Sequence, residues 1–525
     1  MFVLALLAAG LARSQAAPPS PATEAAPHIY SWGDQGDGTY RNPIIKSDYS
    51  DPDICRVGSD FYLIASDFAY VGMQVMHSKD LVNWEVIGQV FNRLTMDPKY
   101  DQMKGYGEGT WAPSLRFHNG EFYIYVCTPY EGLFMWHTKN PAGPWSDTVT
   151  VKKVPRWEDP CPLWDDDGQA YLVHSLKGAG PLIINKMSAD GTQLLDDGKE
   201  IYRGRATEGP KFYKRHGYYY ICMPEGGVST GGQSILRSKT IYGPYERRQV
   251  LPNGTTHQGG MVELDNGQGW FISFKQTGFL GRICYLNPVT WGSDDWPVFG
   301  DNGKPVTVWK KPEVGNTFPV SKPPTSDEFD SPQLAPIWQW NHNPVPKAWS
   351  LTARPGFLRL TALPATQPST ARNTLTEKIW DVCGVINVKM DVSKLTDGDR
   401  AGFAFMSGAS FGWVGVAQDK SQRHFMWDQT TGPAVAGDTV YLRGIYHNDI
   451  GRLYYSADGN VFSDSGQTFR LRFASWKGAR VGVICFNQAN DSGEPASGGG
   501  TVDFDYFHYR YGAAPVEAGF PAGID

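Results

Sequence analysis

Three carboxylates stand at corresponding places of an internal repeat in the first three hundred residues. A turn glycine followed by an aromatic-rich strand occurs five times, at Gly58, Gly120, Gly168, Gly217 and Gly267. Seven residues before the first glycine lies Asp51, and nine residues before the other four lie Trp111, Asp159, Glu208 and Gln258. Acids that converge on one place repel each other, so three acids among these five positions indicate chemistry rather than structure.

A group of carboxylates of this kind can hydrolyse a glycosidic bond. The reaction needs one protonated carboxyl, which gives a proton to the leaving oxygen, and one ionised carboxylate, which activates water or attacks the anomeric carbon. A third carboxylate nearby keeps the acid protonated, because like charges disfavour ionisation. Proline directly follows Asp51 and Asp159, which predicts an extended backbone at both aspartates. Glu208 has the longer side chain, which suits it to reach a glycosidic oxygen.

The repeat also predicts the architecture that brings these residues together. Its period is near 50 residues, with several short strands in each unit, which is typical of a β-propeller blade. Five repeats predict five blades, whose inner strands begin at a central channel. Gly (59), Pro (37) and aromatic residues (13%) are abundant, as expected for an all-β protein with many short strands. A β-sandwich with coincidental hairpins is the alternative.

A second domain is expected, because 525 residues exceed what one hydrophobic core usually organises. The stretch 310–325 is rich in proline and lacks periodicity, so we place the domain boundary near residue 323. Beyond it, alternating apolar and polar runs such as 384–390 and 480–486 predict a β-sandwich over residues 324–512. The propeller then covers residues 28–323, and residues 513–525 form a C-terminal tail.

Composition and the N-terminus address location and partners. The formal net charge is -6 and no basic stripe is present, which argues against a nucleic-acid partner. The apolar run 2–12, followed by Ser14, Gln15 and Ala16, predicts a signal peptide rather than a membrane span. With the Ala/Pro-rich linker it accounts for residues 1–27, so we expect a secreted or periplasmic protein without a membrane partner. Seven cysteines without a CxxC pair predict buried free thiols.

The motifs of the first half resemble glycoside hydrolase family 43, which contains β-xylosidases and α-L-arabinofuranosidases. Four segments match the family in order: Asn42-Pro-Ile-Ile, Ser50-Asp-Pro-Asp-Ile-Cys-Arg, His77-Ser-Lys-Asp-Leu-Val-Asn-Trp and Trp111-Ala-Pro-Ser. The resemblance implies that Asp51 is the general base, Glu208 the general acid and Asp159 the residue that modulates the pKa of the acid. It also implies hydrolysis with inversion at the anomeric carbon.

Further residues are expected to bind the sugar or an ion. The segment that ends in Arg282 resembles the one whose arginine contacts the sugar, and a guanidinium suits paired hydrogen bonds to neighbouring hydroxyls. Phe68 and Trp111 are expected to offer apolar faces to the sugar ring. In the family a histidine near the channel helps to hold a central ion or water; residue type favours His257 for this place, and repeat spacing favours Gln258. A structural Ca²⁺ would be the natural ion, and the reaction itself is expected to need no cofactor.

The start of the second domain is also familiar. The segment from Asp327-Glu-Phe-Asp-Ser to Trp338-Gln-Trp-Asn-His-Asn-Pro resembles the concanavalin-like C-terminal domain of many family 43 xylosidases. The resemblance implies an exo-acting β-xylosidase or α-L-arabinofuranosidase, with xylo-oligosaccharides and arabinoxylan as substrates. Two alternatives stay open. One is a carbohydrate-binding propeller without catalysis; the other is a retaining five-bladed glycosidase of another polysaccharide, with its carboxyls about 5 to 5.5 Å apart instead of about 6.5 to 9.5 Å.

Overall fold

The computed structural model describes residues 31–68, 70–490, 493 and 496–512. The predicted signal peptide and linker (1–27) and the predicted tail (513–525) lie outside the described residues. Within them the chain is built from strands, and its helical content is four short 3₁₀ helices, Pro98–Gln102, Gly278–Leu280, Pro346–Ala348 and Pro368–Thr370. The all-β prediction is confirmed. Among the described helices none has the length and apolar character needed to cross a membrane.

The N-terminal half contains five four-stranded antiparallel sheets, each with its strands paired in chain order. Two strands precede them, β1 (Gly33–Asp34) and β2 (Thr39–Arg41). The first sheet holds β3 (Ser50–Val57), β4 (Asp60–Ser66), β5 (Gln74–Ser78) and β6 (Trp84–Gln89). The second holds β7 (Trp111–His118), β8 (Glu121–Thr128), β9 (Gly132–Thr138) and β10 (Val149–Lys153). The third holds β11 (Trp157–Trp164), β12 (Ala170–Leu176), β13 (Leu182–Met187) and β14 (Lys199–Tyr202).

The last two sheets repeat this pattern. The fourth holds β15 (Lys211–Arg215), β16 (Tyr218–Glu225), β17 (Gly232–Ser238) and β18 (Glu246–Leu251). The fifth holds β19 (His257–Glu263), β20 (Gly269–Gln276), β21 (Arg282–Trp291) and β22 (Pro297–Phe299). The strand β23 (Val308–Lys310) pairs with β2, which also pairs with β1. This small sheet joins the beginning and the end of the half.

The repeated glycines are explained by the hairpin between the first two strands of each sheet. Their φ values are 61°, 83°, 83°, 75° and 80° at Gly58, Gly120, Gly168, Gly217 and Gly267. Residues with a side chain rarely adopt this left-handed conformation, whereas glycine adopts it freely. The motif found in the sequence therefore lies at the same hairpin of five successive sheets.

The first strands of these sheets pack against one another. The strand β3 contacts β7 and β19, and β11 contacts β7 and β15. Between them lie fully buried charges: Lys211 Nζ is 4.0 Å from Asp53 Oδ2 and donates a hydrogen bond to the carbonyl of Pro113 at 2.9 Å. The ends at which these strands begin therefore meet at one place.

The C-terminal half is a β-sandwich of two sheets, as predicted. Its strands are β24 (Gln339–Trp340), β25 (Trp349–Ser350), β26 (Leu358–Thr361), β27 (Leu363–Ala365), β28 (Leu375–Lys378), β29 (Cys383–Asp391), β30 (Asp399–Ser407), β31 (Ser410–Asp419), β32 (Gln422–Trp427), β33 (Thr430–Ala434), β34 (Thr439–His447), β35 (Ile450–Ser456), β36 (Ser463–Arg470), β37 (Arg480–Gln488) and β38 (Thr501–Tyr511). One sheet has the order β24-β28-β37-β30-β31-β32-β33, with β27 on β37, and the other has the order β25-β26-β38-β29-β34-β35-β36.

A continuous apolar cluster joins the two halves. Trp32 and Tyr49 of the first half lie 6.4 and 6.0 Å, between ring centroids, from Trp380 of the second. The side chain of Lys46 forms a salt bridge of 2.7 Å with Asp381. The predicted boundary near residue 323 falls between the end of β23 and the start of β24. Its place stays a prediction.

The cysteines behave as the sequence predicts. All seven are buried and none forms a disulfide. Burial raises the pKa of the Cys55 thiol to about 12, which keeps it protonated and unreactive.

Candidate active site

The residues predicted from the repeat and from the family motifs meet where the first strands begin. They line one cavity of about 220 Å³. Its lining includes all eight predicted residues: Asp51, Phe68, Trp111, Asp159, Glu208, His257, Gln258 and Arg282.

A β-bulge at the start of each first strand positions these side chains. In β3 the pair Ser50–Ser66 is followed by the pair Asp53–Ile64, so β3 holds one residue more than its partner. The same irregularity follows the first pair of β7 and of β19 and the second pair of β11. Before β15 it follows the bridge between Thr207 and Glu225. Bulges of this kind re-aim side chains beside active sites. The residues directly after the pair that precedes each bulge are Asp51, Ala112, Asp159, Glu208 and Gln258.

Two details differ from the sequence prediction. The register puts Ala112, rather than Trp111, at the corresponding place of the second sheet, although Trp111 beside it still lines the cavity. The backbone of Asp51 and Asp159 is left-handed, with φ of 52° and 57°, and not extended as the following prolines predict. The bulge imposes this conformation against a strain of about 1 kcal/mol or more at each residue, and such strain clusters at functional sites.

Asp51 is held by two neighbouring strands. Its Oδ2 accepts hydrogen bonds from the hydroxyls of Ser50 and Ser66, both at 2.8 Å. Arg282 Nη1 donates to Oδ1 at 2.9 Å and to Oδ2 at 3.1 Å. A guanidinium only donates, so Asp51 accepts at both oxygens, as a carboxylate does. Three donors surround Oδ2 and one reaches Oδ1, so Oδ1 keeps room for a further donor such as water.

Three other carboxylates crowd together in the same cavity. Glu158, Asp159 and Glu208 each offer an oxygen within 4.8 Å of the other two, and we call them the acid cluster. Asp159 Oδ2 accepts a hydrogen bond from the backbone N–H of Gly209 at 2.6 Å, which ties β11 to the segment that carries Glu208. Asp51, in its salt bridge with Arg282, is not part of this group.

Burial and crowding keep protons in the acid cluster. Burial, with the charge of Glu208 next in importance, raises the pKa of Asp159 to about 7. Burial, followed by the charge of Asp159, raises the pKa of Glu158 to about 8. Carboxyls that interact this strongly titrate as a group, so their protons belong to the cluster rather than to one residue. The cluster therefore holds at least one proton near neutral pH.

Aromatic side chains form a wall of the cavity. Phe68 and Trp111 lie edge to face, with ring centroids 5.6 Å apart. Trp476 comes from the C-terminal half, lies 6.2 Å from Trp111 between ring centroids, and is 49% exposed. Such rings can pack against the apolar face of a sugar. Both halves of the chain therefore contribute to the cavity.

His257 and Gln258 occupy a further side. His257 Nε2 lies 3.2 Å from Glu208 Oε1, so the imidazole touches the acid cluster. The Nδ1 atom of His257 and the Nε2 atom of Gln258 are buried without a hydrogen-bond partner among the described residues. Ca²⁺ prefers oxygen ligands, so the free nitrogen of His257 fits a water molecule in the shell of an ion rather than the ion itself.

The acid Glu158 and the aromatic residue Trp476 also line the cavity, and the sequence analysis assigns a role to neither. Alternation along a strand predicts that Glu158 and Asp159 point to opposite faces, but the bulge brings both to the cavity. The Oε1 atom of Glu158 accepts hydrogen bonds from the backbone N–H groups of Gly178 and Ala179 at 3.1 and 3.2 Å. The doubled acid in the sequence is the signal that could have revealed Glu158. Nothing in the repeat marks Trp476, because its place depends on how the halves dock.

Comparisons with known proteins cover both halves. The family model "Glycosyl hydrolases family 43" matches residues 40–297, and "Beta xylosidase C-terminal Concanavalin A-like domain" matches residues 326–510. A curated protein of Xylanibacter ruminicola is 44% identical over 466 residues, covering 86% of this chain and 87% of that protein. The "Non-reducing end alpha-L-arabinofuranosidase BoGH43B" of Bacteroides ovatus is 36% identical over 349 residues, covering 61% of this chain and 65% of that protein. The crystal structure of a xylan beta-1,4-xylosidase from Bacillus halodurans C-125 has a TM-score of 0.77 at 26% identity, covering 90% of this chain and 100% of that chain.

These findings confirm the family resemblance, the concanavalin-like second domain and the expectation of a glycosidase. The two family models follow one another in the order of the two halves, and the relative of 44% identity spans most of both chains. The chain belongs to glycosyl hydrolases family 43, and it is a glycosidase whose substrate is an oligosaccharide or a polysaccharide.

Proposed function

We propose that this glycosidase removes terminal sugars from xylan-derived material with inversion at the anomeric carbon. Asp51 is the general base, Glu208 the general acid, and Asp159 the residue that modulates the pKa of the acid. The activity is that of a β-xylosidase, an α-L-arabinofuranosidase or both. The reaction uses side-chain carboxyls for both proton transfers and needs no cofactor.

One observation carries this proposal: the carboxyls of the cavity occupy two opposite electrostatic environments. Asp51 forms a salt bridge with Arg282 and accepts hydrogen bonds from two serines. The acid cluster has close like-charge neighbours and holds protons near neutral pH. Acid and base roles are recognised by environments that separate the ionisation of two carboxyls in this way.

The chemical step follows from these environments. A water molecule bound at Asp51 Oδ1 loses a proton to Asp51 and attacks the anomeric carbon. Glu208 gives its proton to the glycosidic oxygen, whose bond to that carbon breaks. Asp159, which accepts the N–H of Gly209, adds a negative charge to the acid cluster. That charge disfavours loss of the proton before it is transferred. Both carboxyls then exchange protons with solvent and the cycle is complete.

The size of the cavity and the names of the relatives support the substrate class. About 220 Å³ is small beside the roughly 300 to 1,000 Å³ of pockets for drug-sized ligands, which suits a single terminal sugar and exo action. One relative is named an alpha-L-arabinofuranosidase, and one solved structure is that of a xylan beta-1,4-xylosidase. A panel of p-nitrophenyl glycosides separates these activities.

Three further points complete the proposal. We take the five four-stranded sheets as the blades of a five-bladed propeller, since their first strands pack in succession and begin at one cavity. A structural Ca²⁺ beside His257 would hold strand ends together through water and would take no part in the proton transfers. The apolar run 2–12 supports export of the protein from the cytoplasm. The N-terminal sequence of the mature protein in a periplasmic or culture fraction tests this.

Variants with nearly isosteric side chains test the three roles. Asp51→Asn, Asp159→Asn and Glu208→Gln should fold normally and lose about 10² to 10⁴ in kcat, the usual contribution of a general acid or base. Substrates with good leaving groups need little acid catalysis, so dinitrophenyl glycosides should partly rescue Glu208→Gln and leave Asp51→Asn inactive. Near-normal turnover by any one variant would remove its assigned role.

The stereochemistry tests the mechanism directly. A water molecule between base and sugar requires a separation of about 6.5 to 9.5 Å between the two catalytic carboxyls and gives a product of inverted configuration. Proton NMR in the first minutes of hydrolysis reads the anomer before mutarotation mixes the forms. Retained configuration would assign one aspartate as a nucleophile and refute the proposal.

A further inference from the structure

A tight turn of the C-terminal half reaches into the N-terminal half beside the cavity. Ala474 and Lys477 exchange two backbone hydrogen bonds of 2.9 and 3.0 Å across this turn. Its central residues, Ser475 and Trp476, both have positive φ, at 51° and 66°, which is the geometry of a type I′ turn. Side chains strain such a turn, so its residues are held there by what they contact.

The turn is closely fitted to the segment that leads into Arg282. The backbone N–H of Ala479 donates to the carbonyl of Phe279 at 2.7 Å. A Cβ atom on Gly478 would lie 2.8 Å from the carbonyl carbon and oxygen of Leu280, so only glycine permits this approach. The position of Lys477 relative to the active site is therefore fixed by backbone contacts on both sides.

The ammonium of Lys477 binds two elements of the N-terminal half at once. It forms a salt bridge of 2.8 Å with Asp48 and donates a hydrogen bond to the backbone carbonyl of Ser66, also at 2.8 Å. Its side chain is 2% exposed. Lys477 also lies 3.6 Å from Asp67, but Lys378 and Arg480 lie at the same distance from that carboxylate. Among the described residues, Asp48 has no salt bridge other than the one with Lys477.

Both elements hold Asp51. The hydroxyl of Ser66 donates to Asp51 Oδ2, and Asp48 Oδ1 accepts the backbone N–H of Arg282 at 2.9 Å. Arg282 in turn donates to both oxygens of Asp51. Lys477 is thus linked to Asp51 through Ser66 on one side and through Asp48 and then Arg282 on the other.

We propose that Lys477 is a positioning residue of the active site: from the second domain, it fixes Ser66 and Arg282 where they orient the carboxylate of Asp51. The proposal rests on the assignment of Asp51 as the general base. The catalytic half is then complete only with the sandwich docked. Burial alone would raise the pKa of Asp48, but the adjacent Lys477 keeps it below its ordinary value, so Asp48 carries the negative charge that Lys477 binds.

The test compares Lys477→Met with Lys378→Met in the full chain. Both lysines are 2% exposed and lie in the same interface. The Nζ atom of Lys378 has no hydrogen-bond partner in the described residues, so it is the matched control. A displacement of the order of 1 Å costs about 10² in rate. We expect Lys477→Met to lose about 100-fold in kcat with KM within threefold, and Lys378→Met to stay within about fivefold of the parent.

The leaving group separates positioning of the base from other effects. Loss of base orientation affects every substrate alike, so the kcat of Lys477→Met should fall equally for phenyl and dinitrophenyl glycosides. Normal kcat, or a loss confined to KM, would overturn the proposal. Asp51→Asn, measured alongside, separates the two levels: an active Asp51→Asn refutes the base assignment, whereas an inactive Asp51→Asn with an active Lys477→Met refutes this inference alone.

A second variant covers the case in which Lys477→Met does not fold, as judged by circular dichroism. Asp48→Asn keeps an oxygen for the N–H of Arg282 but removes the charge that Lys477 binds. We expect it to reduce kcat at least fivefold with unchanged KM, because Lys477 then loses the charge that it binds on the Arg282 side. Unchanged kcat in a folded Asp48→Asn would overturn the proposal.

Discussion

Replacing Glu158 by glutamine should lower the pH at which activity is lost on the alkaline side. The variant keeps an oxygen for the two N–H groups that bind Glu158, so its side chain should stay in place. It removes one ionisable member of the acid cluster. With fewer like charges to oppose ionisation, the two remaining carboxyls lose their last proton at a lower pH, and that proton is the one that general-acid catalysis consumes.

The size of the effect follows from the distances. Two unit charges 4.8 Å apart, the limit within the acid cluster, interact by about 3.5 kcal/mol at an effective dielectric constant of about 20. That energy corresponds to about 2.5 pH units. Proton sharing among three groups and water at the mouth of the cavity reduce it, so we expect the alkaline limb to move down by about 1 to 2 pH units.

The assay is the pH profile of kcat/KM with an aryl glycoside of poor leaving ability, whose alkaline limb reports the acid of the free enzyme. The acidic limb should not move, because Glu158→Gln leaves the hydrogen bonds that hold Asp51 unchanged. Glu377→Gln is the matched control, because burial also raises the pKa of Glu377 but this residue lies in β28 of the sandwich. An unchanged alkaline limb in folded Glu158→Gln would show that its proton is not shared with the catalytic acid, and would refute this reasoning.

Two other predictions concern the wall of the cavity and the thiols. Trp476→Ala should raise KM about tenfold, equivalent to about 1.4 kcal/mol of substrate binding, with little change in kcat. Val461→Ala is the control, because Val461 lies in the same half and is 73% exposed. An unchanged KM in Trp476→Ala would exclude Trp476 from substrate binding. Ellman's reagent should find fewer than one reactive thiol in the native protein and seven in guanidinium, since all seven cysteines are buried and free; rapid native labelling would contradict that burial.

The arrangement of the strands was largely predictable from local sequence. Each repeat glycine lies in a left-handed hairpin turn, and the aromatic-rich segments after these glycines form the second strands of the sheets. Hairpins depend on residues close together in the chain, so their signal survives in the sequence. The same reasoning found Asp51, Asp159 and Glu208, because a repeat places corresponding residues at corresponding ends of strands.

What the sequence could not determine depends on long-range packing. One bulge brings the side chains of both Glu158 and Asp159 to the cavity, and another holds Asp51 in a left-handed backbone despite the following proline. Both bulges arise from pairing with neighbouring strands. Trp476 reaches the cavity, and Lys477 reaches Asp48 and Ser66 behind it, only through docking of two halves whose contact residues are far apart in the chain. The sequence thus determined the strands, the turns and three of the acids of the cavity. The tertiary structure decided the fourth acid, the aromatic wall and the salt bridge behind Asp51, because side chains distant in sequence become neighbours only after folding.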